Sequence, residues 1–290
     1  MLIRAGDPGR RFDAEARCDA GAAQAANPAR EAPNRWLEPT LSPHSLYKVG
    51  QRRRISRLLF WPVYAAFWLA LRIVGGYRIE NLRAIRGQFA ALASRSSPIL
   101  ICANHLTFVD SLLIVWALAP ARFYARRYNH LSWNVPADDV FGRRWLCRAI
   151  LRVTKCIPID RNGSMRHKDR VLQLCAHLLA KGETVTIFPE GRRSRSGRFD
   201  PGRLATGVGK VVAHAGPCRV ACVYMRAEGQ DGYSDFPRRG SRFRLAMEVI
   251  EFGAVLPRPG AYRAITACIG ETLARLEKRH FGQPADWEDR

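Results

Sequence analysis

Acidic residues are scarce: 25 Asp and Glu stand against 47 Lys and Arg in 290 residues, a formal net charge of +22. A surface this basic attracts polyanions, so nucleic acid, anionic lipid and phosphorylated substrates are the partners to weigh. No Cys-x-x-Cys pair occurs among the eight cysteines, and Cys218 and Cys222 lack partners at usable spacing for zinc. Several cysteines lie inside apolar runs such as "ILICAN", so all eight are expected to be reduced core thiols, not metal ligands or disulfides. No Gly-x-Ser-x-Gly is present, which removes the nucleophile elbow of a serine hydrolase. Zinc-finger and RNA-recognition patterns are missing, and the aromatics do not interleave with the cations, so no specific nucleic acid is expected. Near the start there is no apolar stretch to serve as a signal-peptide core, and a cytosolic location is expected. No internal repeat is visible.

What is present divides the chain. Residues 1–44 are rich in Ala, Arg, Pro and Gly with almost no apolar periodicity, and are expected to form a disordered tail. Residues 45–80 change character. Between Glu38 and Glu80 nothing is acidic, while Lys48, Arg52, Arg53, Arg54, Arg57, Arg72 and Arg78 are basic. Within that stretch the 14 residues from Leu58 to Leu71 carry no charge, fewer than the roughly 20 a membrane-spanning helix needs. Phe60, Trp61, Tyr64, Phe67, Trp68 and Leu71 recur at helical steps behind the basic cluster. A helix lying in a lipid interface, with arginines at anionic headgroups, is built this way. The alternative is a core helix with a solvated basic flank.

From about residue 85 onward, short apolar runs alternate with amphipathic stretches. "PILICAN", "RFYAR", "CIPID", "TVTIFP", "RVACVYM" and "FRLAMEVIEF" read as strands, and "MRHKDRVLQLCAHLLAKG" as a helix capped by Gly182. The alternation predicts a single α/β domain over 81–280 with a mostly parallel central sheet flanked by helices, followed by a tail at 281–290. The N-terminal segment would be an added membrane-associating helical element.

In such a sheet, ligands collect at the carboxyl ends of the strands. Asn104 and His105 follow the run "ILICA" directly, and Asp110 falls five positions after the histidine, in the first turns of a probable helix. A bend between them brings the carboxylate to one ring nitrogen and leaves the other to accept a proton. A capped helix start is the plainer reading of that pattern alone. A second strand end delivers Phe188, Pro189, Glu190, Gly191, Arg192, Arg193 and Ser194 in a row. There glycine lets a ligand approach the backbone and the arginines offer forks suited to phosphate. A third, in "CIPIDRNGS", places Arg161. The stretch Gly202 to Lys210 looks faintly like a nucleotide loop but has Val208 where the lysine must stand.

This combination resembles the glycerolipid, or lysophospholipid, acyltransferase family over roughly residues 75–255. The matching motifs are Asn104, His105 and Asp110; Ile159, Asp160 and Arg161; and Phe188 to Ser194, where Arg193 takes the family's motif arginine and Arg192 its variable position. Cys222 stands where the family's fourth element has a proline. The resemblance implies that His105, oriented by Asp110, is the catalytic base. Asn104, Arg161, Glu190, Gly191, Arg192, Arg193 and Ser194 would form the substrate-binding set. The acceptor would be a lysophospholipid, by default 1-acylglycerol-3-phosphate, and the donor acyl-CoA or an acyl carrier protein. No metal or cofactor is implied, and the place of action would be the cytoplasmic face of a membrane carrying anionic lipid. A non-catalytic scaffold of the same fold, binding membrane or nucleic acid, is the rival, as is an acyltransferase acting on another lysolipid such as a lyso-aminolipid.

Overall fold

The computed structural model describes residues 15–16, 41–138 and 145–282. The tails expected at 1–44 and 281–290 therefore fall almost wholly outside the described residues. The elements in chain order are β1 (Glu15–Ala16), α1 (Pro43–Leu58), α2 (Phe60–Leu69), a π turn (Ala70–Val74), β2 (Arg78–Ile79), α3 (Leu82–Ala93) and β3 (Ile99–Ala103). Next come α4 (Asp110–Leu118), α5 (Ala121–Arg126), β4 (Trp133–Asn134), α6 (Trp145–Val153), α7 (Met165–Ala180) and β5 (Val185–Ile187). The last four are α8 (Gly207–Ala215), β6 (Cys218–Ala227), β7 (Arg242–Phe252) and α9 (Pro259–Gly282).

One sheet carries the order β1-β7-β6-β3-β5-β4, with β2 added beside β7. Strand β3 is buried at all five positions and runs parallel to both β5 and β6. Alternate residues divide the core into two layers, as the period of two in a strand requires. Leu100, Cys102, Val220 and Cys222 meet α7, α8 and α9 on one face. Ile99, Ile101, Ala221 and Val223 meet α3 and α4 on the other, around the fully buried Phe89 and Leu113. Each such side chain contributes roughly 1.5–3 kcal/mol by leaving water.

Five of the six ladders are parallel, as expected, but the sheet is mixed, because its longest ladder, β6 on β7, is antiparallel. The connection between those strands carries Gly229, Gly232, Pro237 and Gly240. It cannot form the crossover helix that a parallel return uses, so the chain reverses. Two further expectations are corrected. "RFYAR" lies in helix α5, where the Pro120 carbonyl accepts from Phe123 N–H at 2.9 Å and alanines at 121 and 125 favour the helix. "CIPID" makes two isolated bridges, Cys156 to Asn134 and Ile159 to Ala137, since Pro158 has no N–H to continue a ladder between them. Helix α7 ends as expected, with Gly182 at φ +77° just beyond it. The cysteines at 102, 147, 156, 175, 218 and 222 are free thiols. Cys268 is disulfide-bonded, which corrects the expectation of thiols throughout. That expectation rested on the lack of any Cys-x-x-Cys pair and on apolar runs, local signals that carry no trace of a pairing between distant positions.

Helices α1 and α2 pack on the domain through their inner faces. Phe60 and Leu71 are buried, Arg53 pairs with Glu183 at 2.7 Å, and Ser56 accepts from the Tyr128 hydroxyl at 2.6 Å. Behind that pair, Lys155 gives its ammonium to Glu183 at 2.5 Å and to the carbonyls of Tyr128 and Leu131. The outer face leaves Trp61, Trp68, Leu69, Ile73 and Val74 exposed. No described helix is by itself long and apolar enough to cross a membrane; 43–58 and 60–74 pass that test only together, and they are bent by 70°.

Candidate active site

The site begins where β3 ends. Asn104 is buried and points away from solvent. Its amide donates to the Met225 carbonyl at 2.9 Å and accepts the Met225 N–H at 2.8 Å. It acts as one more strand residue between β3 and β6, which fixes the position from which His105 leaves the sheet. Asn81 makes the same paired contact with Leu245 across the sheet, at 2.6 and 3.2 Å.

The bend that follows brings Asp110, the first residue of α4, to the histidine ring, with Oδ2 3.0 Å from Nδ1. The same oxygen accepts the backbone N–H groups of Leu106 at 2.6 Å and Thr107 at 2.8 Å, and the Thr107 hydroxyl donates to Oδ1. With four donors around a side chain only 3% exposed, both carboxylate oxygens are held in place as acceptors. The carboxylate holds Nδ1–H, so Nε2 is the nitrogen left to accept a proton. The Phe188 ring stacks on the imidazole with centroids 4.1 Å apart.

The loop after β5 clasps the His105 backbone from both sides. Oε1 of Glu190 accepts the His105 N–H at 3.1 Å, and the Ser194 N–H donates to the His105 carbonyl at 2.8 Å. Burial, aided by the neighbouring carboxylates of Glu277, Asp110 and Asp200, pushes the Glu190 carboxyl up to about 8, against the opposing bond from His105. Gly191 turns the loop at φ +66°, a conformation that favours glycine, with its N–H on the Phe188 carbonyl at 2.9 Å. The Ser194 hydroxyl is spent on the Arg198 carbonyl.

A cleft of about 650 Å³ opens in front of this clasp. His105, Phe188, Gly191, Arg161, Arg192 and Arg193 line it. Arg161 leans on the Gly191 carbonyl at 3.4 Å. Arg193 stacks on Phe108, its guanidinium carbon 3.9 Å from the ring centroid, and donates to the Ser234 carbonyl and to Asp235 at 2.7 Å each. Asn104, Glu190 and Ser194 are not among the residues that line the cleft; the Asn104 amide, Oε1 of Glu190 and the Ser194 hydroxyl each bond a backbone group of the protein.

The opposite wall was not legible from motifs. Lys168 from α7 and Lys210 from α8 face the cleft, the latter paired with Asp169 at 2.9 Å, and Thr206 and Gly207 come from the stretch discounted as a nucleotide loop. Lys168 lies 20 positions before Phe188, and Thr206 to Lys210 lie 12 to 16 beyond Ser194, outside every motif; only the packing of α7 on α8 brings them in. Tyr233, from the β6–β7 connection, is equally silent in sequence. Cys222 is fully buried opposite Cys102 in the sheet, and burial pushes its thiol well up; it does not reach the cleft. Among the described residues no group of three His, Cys, Asp or Glu side chains could hold a metal ion.

Comparison with known proteins follows this geometry. The family described as Acyltransferase matches residues 77–226, a little over half of the chain, and the match contains His105, Asp110 and the loop 188–194. The chain is also similar to the "1-acyl-sn-glycerol-3-phosphate acyltransferase LPAT1, chloroplastic" of Arabidopsis thaliana, 25% identical over 169 residues. That similarity covers 58% of this chain and 42% of the relative, so the chain spans less than half of the relative's length. With the match spanning the His105–Asp110 pair and the loop that clasps it, the chain belongs to the Acyltransferase family.

Proposed function

We propose that the protein is an O-acyltransferase that moves a fatty acyl group from an acyl thioester to the free hydroxyl of a lysophospholipid. The default acceptor is 1-acylglycerol-3-phosphate, which would give phosphatidic acid. The observation that carries this reading is the His105–Asp110 pair at the edge of a cleft lined with arginines.

In the reaction, Nε2 of His105 takes the proton from the acceptor hydroxyl as its oxygen attacks the thioester carbonyl carbon. A C–O bond forms, the C–S bond breaks, and the proton on the imidazolium passes to the departing sulfur, giving a free thiol. A positioned base of this kind is worth about 10²–10⁴ in rate. Asp110 supports the imidazolium while it exists, and Phe188 keeps the ring from rotating. The acceptor's phosphate suits Arg193 and Arg192, which fix the hydroxyl at His105 and supply the entropic part of the acceleration. Acyl-CoA and acylated carrier protein both fit as donors, since each presents the same thioester.

The reading extends to the cytoplasmic face of a membrane. Its support is the outer face of 45–80, where Trp61 and Trp68 are exposed beside Arg54 and Arg57. The test is transfer from radiolabelled acyl-CoA, and in parallel from acylated carrier protein, to a panel of lysolipids in detergent micelles, with wild type beside His105→Ala. Product from one acceptor that is lost in a folded His105→Ala protein is the expected result. Turnover retained by that variant would refute the base assignment, and no product from any pair of donor and acceptor would sink the reading.

A further inference from the structure

The segment 45–80 does not end in isolation. The turn at 237–241, about 160 residues later in the chain, is stapled to its exit. The Tyr77 hydroxyl donates to the Pro237 carbonyl at 3.1 Å, Gly240 N–H to the Gly75 carbonyl at 2.7 Å, and Arg78 N–H to the Ser241 carbonyl at 3.0 Å. Gly76 sits so close to Gly240 that a Cβ there would lie 3.3 Å from its nitrogen.

The rim made by this junction mixes two kinds of side chain. Ile73, Val74 and Phe236 are 56%, 66% and 64% exposed. Around them stand the exposed cations Arg78, Arg238, Arg239 and Arg242, of which Arg78 and Arg242 are direct neighbours across the β2–β7 ladder. None of the four is ion-paired to another described residue. The acids nearby are Asp235, held by Arg193, and Glu80 and Glu228 further along the same ladder.

We propose that this rim is a second membrane-contact surface, docking on an anionic phospholipid bilayer beside the apolar segment. The inference rests on the membrane reading of 45–80 and adds a contact from the β6–β7 connection. Charge complementarity favours anionic headgroups for the four arginines. Apolar side chains set among them fit the boundary between headgroup and acyl chain, and a polynucleotide would leave these side chains unused. Two contacts fix an orientation where one helix leaves the domain free to swing. The connection that carries Arg238 and Arg239 also carries Tyr233, on the cleft wall, and Asp235, which holds Arg193. A bilayer seated on this rim therefore meets the mouth of the cleft, where an acceptor embedded in lipid has to arrive.

The experiment is flotation of the full chain with vesicles of phosphatidylcholine alone or with about one quarter phosphatidylglycerol. Wild type is compared with Arg238→Glu/Arg239→Glu and with Arg263→Glu/Lys278→Glu. The second pair lies on α9, across the sheet, and makes the same change in net charge. At about 1 kcal/mol for each basic residue near an anionic surface, the first pair should lose at least about tenfold in partitioning onto the anionic vesicles, with the second pair within about twofold of wild type. Phe236→Ser should weaken binding to both vesicle types. Equal losses in the two charge pairs would show that net charge alone acts and would overturn the surface. Wild type that floats while Arg238→Glu/Arg239→Glu floats equally well would overturn it too, leaving 45–80 as the contact. Wild type that floats with neither vesicle would remove the membrane reading itself. Should the double glutamate melt early, Arg238→Gln/Arg239→Gln reads the same surface with half the change in charge.

Discussion

The side chain of Asn104 and the backbone of Met225 exchange two hydrogen bonds, at 2.9 and 2.8 Å, inside the core. The residue immediately before His105 is thereby a piece of the sheet. Asn104→Ala removes both partners and leaves a buried N–H and C=O unpaired. At about 1–3 kcal/mol for each unsatisfied group, denaturant titration should show about 2–5 kcal/mol lost. An unchanged midpoint would mean that water replaces the amide.

Asp110→Asn keeps the shape of the carboxylate but presents an amide where Leu106, Thr107 and His105 all donate. The imidazole is driven to the other tautomer, and kcat should fall about 10³–10⁴-fold with the acceptor KM little altered. Steady-state kinetics with circular dichroism on the same sample separates this from unfolding. A loss under about tenfold would demote the aspartate to a structural cap.

Glu190 gives a pH signature in stability. Its folded carboxyl titrates at about 8, well above its ordinary value of 4.5, with burial the main cause. The folded protein therefore holds a proton that the unfolded chain has released between those values, and stability falls as pH rises through that window. Glu190→Gln has no proton to lose. Its melting temperature should match wild type near pH 4 and exceed it at pH 9 by on the order of 5 °C. Parallel melting curves across the whole range would place the Glu190 carboxyl at its ordinary value.

Arg193→Ala should raise the KM for a phosphate-bearing acceptor about 10- to 100-fold while kcat changes little, because it removes binding shared by ground and transition states. Arg193→Lys should recover only part of this. A lysine keeps charge but cannot stack flat on Phe108 while also forking to Ser234 and Asp235. An acceptor KM unmoved by either change would take Arg193 out of the acceptor site.

The parts of the fold and site legible in sequence were those set by local rules. The run Ile99–Ala103 is apolar at every position and became a strand buried on both faces; His105 and Asp110 are five apart and meet through a single bend. Non-local pairing was not legible. Nothing in "FRLAMEVIEF" says that it returns antiparallel to β6, and the short run in "RFYAR" obeys the alanines around it more than its own aromatics. Within the site, the resemblance of the motifs gave the residues but not their neighbours in the protein. Glu190 and Ser194 satisfy the His105 peptide group, a demand visible only once the two loops lie side by side. Lys168 and Lys210 carry no local mark at all.

The clasp on His105 separates two duties within one cleft. Among the described residues, every hydrogen bond and ring contact to His105 comes from the bend at its own strand end or from the loop after β5, and none from α7 or α8. The helices that supply Lys168 and Lys210 can be reworked, lengthened or recharged without moving His105. On the function proposed above, the chemistry is anchored in the sheet, and the choice of what reacts is written on parts that can be exchanged around it.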